Sequence, residues 1–235
     1  MSEAARGSAQ GHVLDDIRRA LGRSETLRPT PLEPFIETTG EAELEEIVAR
    51  FTAEAIAVGA HVYRARSGAD AVAHLAEICD AAGVGEVALS GAPLLAEMNL
   101  RAHLTDRRLS VVEAADFSPD ERDKLIALLA GCGAGVTAVD DAIAETGTIV
   151  LSSDEEQGLL VSLLPAIHIA VLSRGQISGS LAAVIEKLGL ERMRRSEPCR
   201  AATFITGPSR TSDVELTLSI GVHGPKELHL IILGE

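Results

Sequence analysis

Aromatic side chains are nearly missing: the 235 residues hold no Trp, one Tyr and four Phe, 2% in all. Any core must be filled by aliphatic residues, and the 46% of hydrophobic residues are mostly Ala, Leu, Val and Ile, a composition that suits helices laid on parallel strands. Cysteine is scarce too. Cys79, Cys132 and Cys199 lie far apart with no C-x-x-C pair, so the spacing offers neither an iron–sulfur ligand set nor a zinc ribbon, and a reducing cytoplasm is the expected home. The seven histidines show no H-x-x-x-H or H-x-H spacing, so no metal site is expected from the sequence. There is no apolar run of about 18 residues, and Met1 to Gln10 are polar and small rather than basic then apolar. Neither a membrane span nor a signal peptide is expected. Positive charge is also in deficit, with 21 Lys and Arg against 35 Asp and Glu and a formal net charge of -14. This argues against nucleic-acid backbones and anionic membrane surfaces. The tightest basic cluster, Arg192, Arg194 and Arg195, ends a predicted helix and complements its dipole.

A chain of this length can bury about 70–75% of its unfolded surface, as one large domain or one domain with an appendage. Residues 1–40 read as an amino-terminal arm and linker: a helix over His12 to Leu21, stopped by Gly22, then Pro29, Pro31 and Pro34 among polar residues. Residues 41–235 form the compact domain. A helix over Glu41 to Val58 opens it, with Leu44, Ile47, Val48, Phe51, Ala55 and Val58 on one stripe. Strands His61–Ala65, Glu86–Ser90, Leu109–Ala114 and Val136–Val139 then alternate with helices Ala69–Ala82, Leu94–His103 and Asp120–Leu129. Strands Ile149–Leu151, Ala166–Leu172 and Glu227–Leu233 follow, with a helix over Gly179 to Leu190. Such alternation predicts an α/β fold, an open sheet layered by helices. The glycine-rich turn Gly131-Cys-Gly-Ala-Gly135 follows a helix and opens a strand. That order is the reverse of a dinucleotide fingerprint, so the glycines read as a helix stop.

Two stretches carry possible chemistry. In the first, the run Ala202 to Ile205 ends at Gly207-Pro208, and Ser209, Arg210, Thr211 and Ser212 lead into a predicted helix with Ser212 and Glu215 as a capping box. A helix mouth with small hydroxyls and an arginine can hold a phosphate or carboxylate. Equally, Ser212 and Glu215 simply cap the helix while Arg210 pairs with Asp213 or Glu215. His223 sits in the Gly221–Pro225 turn beyond. In the second stretch, Glu145, Thr146 and Thr148 flank Gly147, where another backbone or a ligand can approach closely. Glu145 is then a general base or carboxylate nucleophile, or else a half-solvated turn cap. His168, inside the aliphatic run Ala166 to Leu172, reads as a core residue satisfied by backbone rather than a catalyst.

Four ordered blocks, A-E-T-G-T-I-V-L (144–151), S-L-L-P-A-I-H-I (162–169), F-I-T-G-P-S-R-T-S-D-V-E (204–215) and G-V-H-G-P (221–225), closely resemble the lactate utilization protein C family, built on the LUD domain. I-R-R-A-L-G-R (17–23) resembles its leading helix. The resemblance implies a fold like that of the CoA-transferase and ribose-phosphate-isomerase superfamily, and a part in oxidizing L-lactate to pyruvate alongside two partner proteins. One departure is visible: many relatives carry an Arg after the position of Gly158, where this chain has Leu159 and Leu160; if that Arg meets a substrate carboxylate, this chain needs Arg210 for the task.

Taking two electrons from lactate requires a flavin, nicotinamide or metal centre. The expectation is therefore a subunit or accessory protein with no redox cofactor of its own, flavin or iron–sulfur centres sitting on the partners. Its ligand would be a small carboxylate or phosphate at Thr146, Gly147, Thr148, Gly207, Ser209, Arg210, Thr211 and His223. Two other classes stay open: a stand-alone acyl or CoA transferase, or a sugar-phosphate isomerase, with Glu145 catalytic; and a non-catalytic anion-binding module.

Overall fold

The computed structural model describes residues 40–152, 159–194, 201–212 and 218–234. The expectations for the arm, the acidic turn 154–158, Arg195, Cys199 and Glu215 lie outside the described residues. Helix α1 (Glu41–Ala57) buries Val48, Phe51 and Ala55 along one stripe, as its apolar spacing dictates. After it come β1 (His61–Ala65), α2 (Gly68–Ala82), β2 (Glu86–Leu89), α3 (Pro93–Glu97), α4 (Leu100–Asp106), β3 (Ser110–Glu113), α5 (Arg122–Gly131) and β4 (Ala134–Ala138). The second half contains β5 (Asp141–Ile143), β6 (Thr148–Ser152), α6 (Leu159–Leu163), β7 (Ile167–Ser173), β8 (Ile177–Ser178), α7 (Leu181–Arg194), β9 (Ala202–Ile205), β10 (Arg210–Ser212), β11 (Leu218–Ile220) and β12 (Glu227–Leu233).

Six strands form a wholly parallel sheet in the order β1-β12-β7-β4-β2-β3. A smaller sheet runs β8-β5-β6-β9, and β10 pairs with β11 as a separate antiparallel hairpin. Alternation along each strand sends side chains to opposite faces. On one face of the large sheet, Val87, Leu89, Val136, Ile169 and Ile231 pack with Leu75, Leu95 and Leu104 of α2, α3 and α4. On the other, Leu228, Leu230, Ile232, Ala170 and Leu172 meet Val48, Phe51 and Ala55 of α1, and the same cluster takes in Ile149 and Leu151 of the small sheet. Further along that face, Ala88 and Val112 pack with Leu129 of α5 and Val161 of α6. Ile143 and Val150 point the other way and pack on Val184 of α7. Helix α1 is thus the filling between two sheets.

Two expectations change, and three elements go unforeseen. The helix foreseen over Leu94 to His103 is broken in two where Asn99 turns left-handed, with φ 49. The helix foreseen from Ser212 is not formed over its described residues: Ser212 pairs with Leu218, Thr211 with Ser219 and Arg210 with Ile220. Leu218 and Ile220 are two apart, the strand period, and this pairing prevails over the capping-box signal of Ser212 and Glu215 that suggested a helix. Finally β5, β8 and α6, of two to five residues, are too short to leave a period in the sequence.

Candidate functional site

β6 and β9 run antiparallel with Ile149 opposite Ile205 and Val150 opposite Phe204. The loop entering β6 and the loop leaving β9 therefore lie side by side, although about 60 residues separate them. Hydroxyls join them: Thr146 Oγ1 is 2.7 Å from Thr148 Oγ1, which is 2.8 Å from Thr206 Oγ1. Thr148 is buried and Thr146 exposed. Both loops also press on the end of α1. Gly147, at φ 61, lies where any Cβ would strike the backbone of Glu54 and Ala55, and Gly207, at φ 74, where one would strike the Val58 carbonyl. The close approach foreseen at Gly147 is that of a helix backbone. Arg210 completes the contact, donating from Nη2 to the Val58 carbonyl at 2.6 Å and so satisfying an acceptor at the helix end.

Behind these loops is a cavity of about 340 Å³ whose lining includes Thr206, Gly207, Ser209, Arg210, His223 and His168. Backbone bonds hold its mouth: the Ser209 amide donates to Pro225 O at 3.0 Å and the Gly221 amide to Ser209 O at 3.0 Å. His168 is 1% exposed, and its Nε2 lies 2.9 Å from Thr137 Oγ1 on the neighbouring β4. Burial pushes its pKa down to about 3, so the cavity presents a neutral imidazole that donates through one nitrogen and accepts through the other.

Of the residues foreseen from sequence, Gly207, Ser209, Arg210 and His223 share this cavity. Thr148 reaches it through Thr206. Of Thr211, the structure describes the strand pairing with Ser219. Glu145 sits apart from the lining: its Oε1 accepts the Leu181 amide at 2.7 Å, at the first residue of α7, the capping role that a carboxylate plays at a helix start.

A second cavity, also about 340 Å³, opens at the carboxyl ends of β2 and β3, with Ser90, Asn99, Arg101 and Glu113 in its lining. Arg101 is paired with Glu113 at 3.3 Å and Asp116 at 2.9 Å, while the buried Ser90 hydroxyl has no hydrogen-bond partner among the described residues. The carboxyl edge of a parallel sheet is where such folds usually seat ligands, and the S-G-A-P turn after β2 was the available signal for it.

Cys79 packs in the cluster on one face of the large sheet and Cys132 in that on the other, so they cannot share a metal. Burial pushes both thiols up to about 11, which keeps them protonated and inert.

The LUD domain model matches residues 48–233, from within α1 to the end of β12. The chain belongs to the LUD domain family. This LUD domain is 28% identical to Lactate utilization protein C of Shouchella clausii, with 98% of each chain covered. It is 28% identical to the uncharacterized protein YkgG of Escherichia coli, over 95% of this chain and 97% of that one. Over 119 residues, 50% of this chain and 51% of the other, it is 37% identical to Lactate utilization protein C of Deinococcus radiodurans. A solved structure of a DUF162 family protein from Deinococcus radiodurans superposes with a TM-score of 0.55 at 23% identity, covering 87% of this chain and all of that one. That likeness concerns the fold: a mostly parallel central sheet flanked by helices.

Proposed function

We propose that this LUD domain is a component of an L-lactate utilization system that carries no redox centre of its own and seats a small carboxylate in the cavity above His168. Support for the pathway comes from the full-length similarity to Lactate utilization protein C. The observation that carries the site is the convergence of Thr206, Ser209 and Arg210 with His168, from distant parts of the chain, on one cavity of about 340 Å³. A space of that size admits a small organic acid. The hydroxyls of Thr206 and Ser209 and the remaining N–H groups of Arg210 are donors suited to a carboxylate.

Lactate oxidation needs a group that accepts two electrons. With no dinucleotide fingerprint and no cysteine motif in the sequence, we assign that group to partner proteins, two in number on the family resemblance. The acyl-transfer reading finds no support in the position of Glu145, whose carboxylate is bonded to a helix amide outside the cavity lining. Likewise, kinship with the CoA-transferase and ribose-phosphate-isomerase superfamily is proposed only at the level of sheet and layers.

Calorimetric titration of the full chain with L-lactate, pyruvate and inorganic phosphate tests the site. Saturable binding of a carboxylate that Thr206→Val weakens and Ser90→Ala leaves intact is the expected result. Loss of binding in Ser90→Ala alone would move the ligand to the carboxyl-edge cavity. The pathway role has its own test, because deleting this chain with its partners intact should abolish L-lactate consumption; unchanged consumption would end the proposal.

A further inference from the structure

The face of β1 and β12 opposite the cavity carries a cluster that sequence spacing did not reveal. His61 and His229 are register partners in the parallel pair β1–β12, and their rings stack with centroids 4.7 Å apart and planes 20° from parallel. Glu227 precedes His229 by two residues, so it lies on the same face, and its Oε2 is 3.1 Å from His229 Nε2. One ligand atom from each of His61, Glu227 and His229 can be chosen so that all three lie within 4.8 Å of one another. On the far side of the His229 ring, Tyr63 Oη is 3.2 Å from Nδ1.

We propose that His61, Glu227 and His229 bind one divalent transition-metal ion of the zinc type, clamping the edge strand β1 to β12, with Tyr63 as the residue that positions His229. Two imidazoles and one carboxylate are a donor set that zinc accepts, with a fourth tetrahedral position left for water. Donor atoms in such a site stand roughly 3.3–3.5 Å apart, given metal–ligand bonds of about 2.0–2.1 Å. His61 and Glu227 are exposed and can close that distance by side-chain rotation, while the buried His229 is the fixed point. Tyr63 Oη can accept from Nδ1–H, the outer hydrogen bond that orients a metal-bound imidazole and leaves Nε2 for the ion. Surrounding charge favours a cation: Glu77 stands 3.7 Å from His74, whose ring lies 5.4 Å from that of Tyr63, and the chain is strongly acidic. Leu228, between the two β12 ligands, lines the cavity on the opposite face. The ion is therefore separate from the proposed carboxylate seat and has a structural role.

The test uses the full chain, free of any histidine tag and stripped of metal by chelation. Zn²⁺ is titrated calorimetrically and Co²⁺ by visible absorption, and melting is followed with and without Zn²⁺. One ion per chain, the d–d bands of a four- or five-coordinate cobalt site and a Zn²⁺-dependent rise in Tm are expected. His61→Ala and Glu227→Gln, both at exposed positions, should each weaken Zn²⁺ binding by roughly tenfold or more and remove the rise in Tm; Tyr63→Phe should weaken it about tenfold. His103→Ala, on the exposed side of α4, should change nothing. Absence of stoichiometric binding, or binding of equal strength in His61→Ala and Glu227→Gln, would overturn the proposal. The carboxylate titration is independent of both outcomes.

Discussion

His168 is a neutral base in a place where water scarcely reaches. Its folded pKa of about 3 lies below the ordinary value of 6.5, so as pH falls through about 6.5 the unfolded chain takes up a proton that the folded chain refuses. The sign follows from linkage: stability is independent of this group above about pH 6.5 and decreases between there and about pH 3, by up to about 1.4 kcal/mol per pH unit. Urea denaturation of the wild type and His168→Gln at several pH values should show the shallower decline in the variant; parallel curves would mean that His168 is not the titrating group. At Gly147, a φ of 61 and the adjoining α1 backbone act together. Gly147→Ala should cost about 2–5 kcal/mol in the same assay, the left-handed conformation and the overpacking each contributing. The sequence announced a close approach at this glycine but not what approaches, because α1 lies about 90 residues earlier. His168 was legible as a core residue, yet its partner is a threonine hydroxyl on the next strand rather than backbone, a fact that strand order alone decides.

Among elements, those whose apolar residues repeat over several turns were legible: α1 and α2 follow their stripes, and the alternation with β1 to β4 foretold the parallel sheet. Where an element has three residues, two periods fit equally well, which is why β10 and β11 leave no strand signal in the sequence. The metal ligands illustrate the same limit. Glu227 and His229 are two apart, a visible strand spacing, but His61 joins them only through the β1–β12 register, and register is a non-local property. Helix α7 offers a prediction of its own. Gly189 lies exposed in it, and an added Cβ meets nothing within 4 Å. Gly189→Ala should therefore stabilise the protein by about 0.5–1 kcal/mol, through a smaller loss of backbone entropy. A lower urea midpoint would show that this stretch is not helical in solution.

Taken whole, the molecule holds far more acid than base, a formal net charge of -14, so its folded state confines like charges that unfolding lets apart. Salt should relieve this. Raising NaCl from about 10 mM to about 300 mM should lift Tm by about 2–4 °C, corresponding to roughly 1 kcal/mol, as the screening length falls below the spacing between surface charges. A fall in Tm would mean instead that pairs such as Arg64–Glu45 and Arg101–Asp116 outweigh the net repulsion. The layered plan was readable from alternation; the position of β12 between β1 and β7 was not, since among the described residues the last strand pairs with the first. Because Gly147 rests on bare backbone of the final turn of α1 and Gly207 on that of the residue capping it, Val58, that helix works as a spacer of fixed phase. One residue inserted within it would swing its end by about 100°, bringing side chains against the two glycines and prising the small sheet away. Length changes in this protein should accordingly be tolerated in surface turns and forbidden inside this single helix.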